Sequence, residues 1–272
     1  MKTKENVKPV KGIIFAGCSF TWGQGLYYYS NLPTLKEPLP DRYDPDLITP
    51  AHIAFMERHR YPRLVANHYN TFEVVQDTNG GSNESAMRFF TRLDGERNRP
   101  YYDLSEYQAI VFQLTQWQRN TFSFEVNDHK FNHSFFHSAS DPEIKPHFLE
   151  YLSKTDTSVD HLIRFFIKDN LRAVKNWLME AESNGLKTVV QTWPEEYMQY
   201  LKEDDFFMER LVTFDYKGKT FNSIYDLMHT NKNLEIKHDY ESFEVPPLDH
   251  HPSMLCHKIM AESVIRKLGN LE

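Results

Sequence analysis

Cysteine is nearly missing from this chain: two, Cys18 and Cys256, occur in 272 residues. Two thiols so far apart make no disulfide framework and cannot alone close a four-ligand zinc site, so both read as reduced structural residues. Long apolar runs are also lacking. None approaches the ~20 residues that span a bilayer, and no membrane partner is expected. The lysine-rich stretch 1–11 leads into a short apolar segment without a small-residue cleavage site, so no secretory signal is read there. Nor is positive charge in excess. With 31 Lys and Arg against 38 Asp and Glu, the net charge is −7. No basic stripe supplies phosphate contacts, which argues against a nucleic-acid partner. Internal repeats and low-complexity tracts are absent, so 1–272 reads as one domain.

What the chain does contain is the composition of a globular protein, 40% hydrophobic and 25% charged. The 20 Phe and 15 Tyr exceed what a core of this size needs, and some are expected at a pocket or an assembly surface. Apolar runs at 12–16, 71–75, 109–114 and 187–193 read as strands, with a short fifth at 234–238. Between them, helical spacing marks 61–68, the positions Ala86, Phe89, Phe90 and Leu93, and the positions Ile163, Ile167, Leu171, Val174 and Leu178. Asn184-Gly185 stops this last helix. A closing helix is expected after Ser253, read as its N-cap. Segments at about 27–60, 122–160 and 194–232 show no clear period and read as insertions. Strands alternating with helices predict an α/β fold, a three-layer α/β/α sandwich around a mostly parallel sheet of about five strands. In such sheets ligands bind beyond the carboxyl ends of the strands, where Ser19, Gly81 and Gln116 are all expected.

Chemistry concentrates in three separated stretches. Gly12 to Ala16 runs into Gly17-Cys18-Ser19, a strand ending in a tight turn that presents a hydroxyl and free backbone N–H groups. Nucleophilic hydrolysis needs such a hydroxyl, a histidine to take its proton, a carboxylate to orient the histidine, and donors for the oxyanion. His251 and Asp249, two residues apart before the last helix, offer base and orienting group together. Ser19 N–H and Gly81 N–H offer the donors. Cys18 should point into the fold, opposite Ser19, and His257 reads as a packed core histidine. The run Asp249-His250-His251 invites a metal reading, but the carboxylates needed from other strand ends are missing, and no metal site is expected.

These residues resemble the blocks of the SGNH (GDSL-like) hydrolase family. Gly17-Cys18-Ser19-Phe20-Thr21 is similar to its first block, with Cys18 where aspartate is usual. Asn79-Gly80-Gly81-Ser82-Asn83 is similar to the second, and Asp249-His250-His251-Pro252-Ser253 with His257 to the last. The blocks fall in the family's order from Gly12 to Leu268, though about thirty residues carry the likeness. Openings of this kind occur in phage and bacterial members. The resemblance implies an SGNH, flavodoxin-like sandwich and ester hydrolysis through an acyl-enzyme, for example removal of O-acetyl groups from a carbohydrate. It implies no metal or organic cofactor, a small-molecule or carbohydrate ester as partner, and a cytoplasmic or virion-associated setting. The third block departs from the pattern. Thr115-Gln116-Trp117-Gln118-Arg119 puts tryptophan where the family has the asparagine that completes the oxyanion hole. Gln116, Gln118 or Asn83 could replace that donor, while Trp117 and Trp193 could serve as platforms for a sugar. The alternative is a catalytically weak or inactive SGNH-fold protein, kept as a structural or carbohydrate-binding part of a homo-oligomer or larger assembly.

Overall fold

A computed structural model describes residues 10–31, 49–76, 81–91, 93–94, 99–100, 102–230 and 251–271. Its centre is a parallel sheet of β1 (Gly12–Ala16), β2 (Glu73–Val75), β3 (Tyr107–Leu114) and β4 (Lys187–Thr192), in the spatial order β2-β1-β3-β4. Ile14 lies beside Val74 on one side and Ile110 on the other, and Phe112 lies beside Val190. Among the described residues this sheet has four strands, where about five are expected; the anticipated strand at 234–238 lies outside them.

Strand alternation sends successive side chains to opposite faces, and both faces are apolar. Ile14, Ala16, Ile110, Phe112, Leu114 and Val190 pack against α4 (Asn83–Thr91) and the long α5 (Val159–Ser183). Ile13, Phe15, Ala109, Val111 and Val189 pack instead with α3 (Tyr61–His68) and α6 (Met254–Leu268). Helices therefore cover both faces of a parallel sheet, and the described chain is a mixed α/β structure. No helix among the described residues is long and apolar enough to cross a membrane.

Local chemistry sets the helix ends. Ser253 caps α6 by accepting from Cys256 N–H at 3.2 Å, and Ser158 caps α5 by accepting from His161 N–H. The helix expected to run through Leu93 stops at Thr91, and Leu93–Asp94 pairs instead with Arg99–Pro100. The stretch 122–160 resolves into a hairpin, Thr121–Val126 with His129–Ser134, followed by helices Phe135–Ser140 and Lys145–Lys154. The hairpin's inner residues Phe122, Phe124 and Val126 join the core beside α5, so much of the aromatic excess packs here. The stretch 194–230 holds short helices and a second small hairpin, Phe214–Tyr216 with Lys219–Phe221.

The order β2-β1-β3-β4 sends the chain from β1 to one side and then back across to β3. The loops leaving β1 and β3 part there, opening a crevice at the carboxyl edge of the sheet. Gly17-Cys18-Ser19 and Thr115-Gln116 leave their strands at this point.

Candidate active site

Gly17 lets the chain turn sharply at the end of β1. A Cβ at this position would come 2.8 Å from Gln113 Oε1 and 2.9 Å from Gln113 Cβ. Cys18 then points into the fold, fully buried, and burial pushes its thiol pKa up. Ser19 opens the single-turn helix α1 (Ser19–Trp22), which Gly23 ends at φ +92°. Ser19 is 4% exposed, and its Oγ lies 3.0 Å from Nε2 of half-buried His251. With Nε2 unprotonated, the hydroxyl donates to it, the arrangement a general base requires. The Phe20 ring sits edge-on to His251 at 5.2 Å and to Trp193 at 4.8 Å, bracing the imidazole. Asp249 lies outside the described residues.

The N–H groups of Ser19 and Gly81 have no acceptor among the described residues. Gly81 is held beside the Gly17 turn: a Cβ on it would lie 3.4 Å from Gly17 O. Its own carbonyl accepts from Thr115 Oγ1 at 3.1 Å, which ties the loop before α4 to the end of β3. Ser82 and Ser85 secure the start of α4 reciprocally, each hydroxyl accepting from the other's backbone N–H.

Two residues proposed for the site sit elsewhere. The Asn83 side chain is fully buried; Nδ2 donates to Asn170 Oδ1 at 2.6 Å and to Tyr197 OH at 2.9 Å, and Oδ1 accepts from Thr115 N–H at 2.8 Å. Both amide hydrogens are taken, so Asn83 locks α4 to β3 and α5 and is not a donor to a substrate oxygen. Trp117 is 4% exposed and packs against Phe135 at 4.8 Å. It anchors the inserted hairpin to the core and offers no face to a sugar. Gln116 and Trp193 do face open space. They line a cavity of about 660 Å³ with Gln118, Glu195, Met198 and Tyr225. Neither Ser19 nor His251 lines this cavity; it adjoins them through Trp193, whose ring meets Phe20.

Beneath Ser19 runs a buried polar chain that sequence reasoning missed. Gln191 Nε2 donates to Tyr61 OH at 2.6 Å, Tyr61 OH lies 3.2 Å from Thr21 Oγ1, and Thr21 Oγ1 donates to Gln113 Oε1. Cys18 Sγ reaches the same Gln113 oxygen at 3.9 Å. Tyr61 N–H donates to Nδ1 of His257 at 3.2 Å. His257 is fully buried, and burial lowers its pKa to about 3, so it stays neutral. Glutamines within the apolar strands 109–114 and 187–192 were the available signal: a buried amide needs partners. Among the described residues no three His, Cys, Asp or Glu side chains converge as a metal centre would require. Comparison of the chain with models of known protein families and with curated proteins gives no match.

Proposed function

We propose that this chain is a serine hydrolase of SGNH type that cleaves an ester through an acyl-enzyme. The observation that carries the reading is the 3.0 Å contact between Ser19 Oγ and His251 Nε2 at the carboxyl edge of a parallel sheet. In the proposed reaction Ser19 Oγ attacks the acyl carbon while its proton passes to His251 Nε2. Ser19 N–H and Gly81 N–H hold the negative oxygen of the tetrahedral intermediate. His251 gives its proton to the leaving alkoxide, and the acyl group stays on Ser19. Water, deprotonated by His251, then attacks the acyl carbon, and the acid leaves as Ser19 recovers its proton. Asp249 would orient His251, a role that rests on the resemblance. We place the remainder of the substrate in the cavity that adjoins the pair through Trp193, and an acylated carbohydrate is the substrate we favour.

A second reading keeps the SGNH fold with weak or no turnover, as a structural or carbohydrate-binding part of an assembly. It is favoured by Trp117 standing in the third block where the family has its donor asparagine: Trp117 and Asn83 are both committed to packing, and Gln116 and Gln118 line the cavity that Ser19 does not. Loss of one such donor costs about a hundredfold to a thousandfold in rate. Short acyl nitrophenyl esters offered to wild type and to Ser19→Ala separate the two. Turnover by wild type alone, with fluorophosphonate labelling of Ser19, supports the hydrolase; equal background rates and no labelling leave the second reading.

A further inference from the structure

The hydrolysis just described leaves one charged group beside the nucleophile without a task. Arg119 ends the 3-10 turn Trp117–Arg119 beyond β3. Its Cζ lies 5.6 Å from the centroid of the Trp193 ring, which itself meets Phe20, the neighbour of Ser19. The guanidinium also lies close to Cys18, where its charge draws the thiol pKa down against the larger upward push of burial. Arg119 therefore lies close to Cys18, the residue before the proposed nucleophile, and to Trp193, whose ring meets Phe20, the residue after it.

What this arginine lacks among the described residues is a carboxylate. Arg60, Arg63 and Arg210, the other described arginines withdrawn from full exposure, each pair with a glutamate. Arg119 has no ion pair among the described residues, and its Nη1 is sealed from solvent with no hydrogen-bond partner. A guanidinium drawn partly out of water without a counter-charge is costly, and its planar fork of donors matches a carboxylate, phosphate or sulfate. Trp193 lines the cavity and its ring lies 5.6 Å from Arg119 Cζ, so the guanidinium adjoins the cavity through that ring. Glu195 and Glu196 outnumber Lys202 at the cavity wall, so the cavity itself does not favour an anion.

We infer that Arg119 anchors an anionic group of the substrate, so that this site takes esters carrying a carboxylate, phosphate or sulfate near the scissile bond. The substrate class rests on the ester-hydrolase reading; the anion site does not. Release of nitrophenolate from mono-4-nitrophenyl adipate and from its methyl ester compares a charged with a neutral chain of like shape. In wild type the charged ester is expected to have the higher kcat/KM. Arg119→Gln should cut it by roughly tenfold or more, mainly through KM, and change the methyl ester by less than about threefold, with Arg119→Lys between. Equal losses on both esters, or no loss on either, overturn the anchor. Calorimetric titration with adipate and with inorganic phosphate reads the site without turnover. Binding by wild type that Arg119→Gln abolishes supports the anchor even if neither ester is hydrolysed, an outcome that removes the hydrolase reading alone. No binding of either anion by wild type overturns it.

Discussion

Ser19 Oγ and His251 Nε2 lie 3.0 Å apart although 232 positions separate them in the chain. The turn after β1 supplies one and the segment before α6 the other. The contact exists because α6 packs on the same sheet face as Ile13 and Phe15, beside α3.

If the pair acts as one unit, its losses do not add. Ser19→Ala and His251→Ala should each lower kcat for an activated ester to nearly the same floor, and the double variant should fall little further. Steady-state kinetics of the three variants check this. A double variant slower by the product of the single effects would show that the two residues act independently.

Asn83 is expected to matter for stability and not for the oxyanion. Asn83→Ala leaves Thr115 N–H, Asn170 and Tyr197 short of buried partners, a loss on the order of 2–4 kcal/mol. Denaturant midpoints measure it. The rate per folded molecule should stay within about threefold of wild type, whereas removal of an oxyanion donor costs about a hundredfold or more.

Gly17→Ala forces a methyl group against Gln113 and Thr21, under the turn that carries Ser19. Overpacking of this kind costs about 1–3 kcal/mol. Here it also shifts the nucleophile, so kcat should fall together with the unfolding midpoint, as kinetics and denaturant unfolding on one preparation would read. Normal kcat with full stability would contradict the tight turn.

His257 gives the fold an acid sensitivity. Burial holds its pKa at about 3, below the ordinary value of 6.5, so the unfolded chain binds this proton more readily than the folded one. Its contribution to stability is whole above pH 6.5 and is lost as pH falls toward 3, at no more than about 1.4 kcal/mol per pH unit. Unfolding free energies of wild type and His257→Gln between pH 7.5 and 4.5 test this: the wild-type curve should fall more steeply. Parallel curves would show that His257 is not the source.

Much of the fold was legible in local pattern. The apolar runs at 12–16 and 109–114 are strands buried on both faces, the run at 187–193 is one as far as Thr192, and spacing within 159–183 follows the buried stripe of α5. The stretch 122–160 reads as having no clear period, although Thr121–Val126 alternates exposed and buried residues and the chain turns at Asn127-Asp128, both at positive φ. What no local pattern gives is the set of distant helices on which its buried aromatic residues pack. Phe122, for example, meets Phe148 at 5.7 Å and Phe166 at 5.1 Å.

The sequence by itself determined which residues could do chemistry: a serine in a glycine turn after a strand, and a histidine ahead of a capped helix. It determined as well that Cys18 and His257 would be core residues, since local polarity and helical phase depend on neighbours along the chain. Only the tertiary structure decided which side chains are free to act. It committed Asn83 to a buried network and Trp117 to the core, ran the polar chain through Thr21, Tyr61, Gln113 and Gln191, and left Arg119 without a counter-charge among the described residues. Hydrogen-bond capacity is shared between segments far apart in sequence, so whether a donor is spent or spare is settled only when those segments pack.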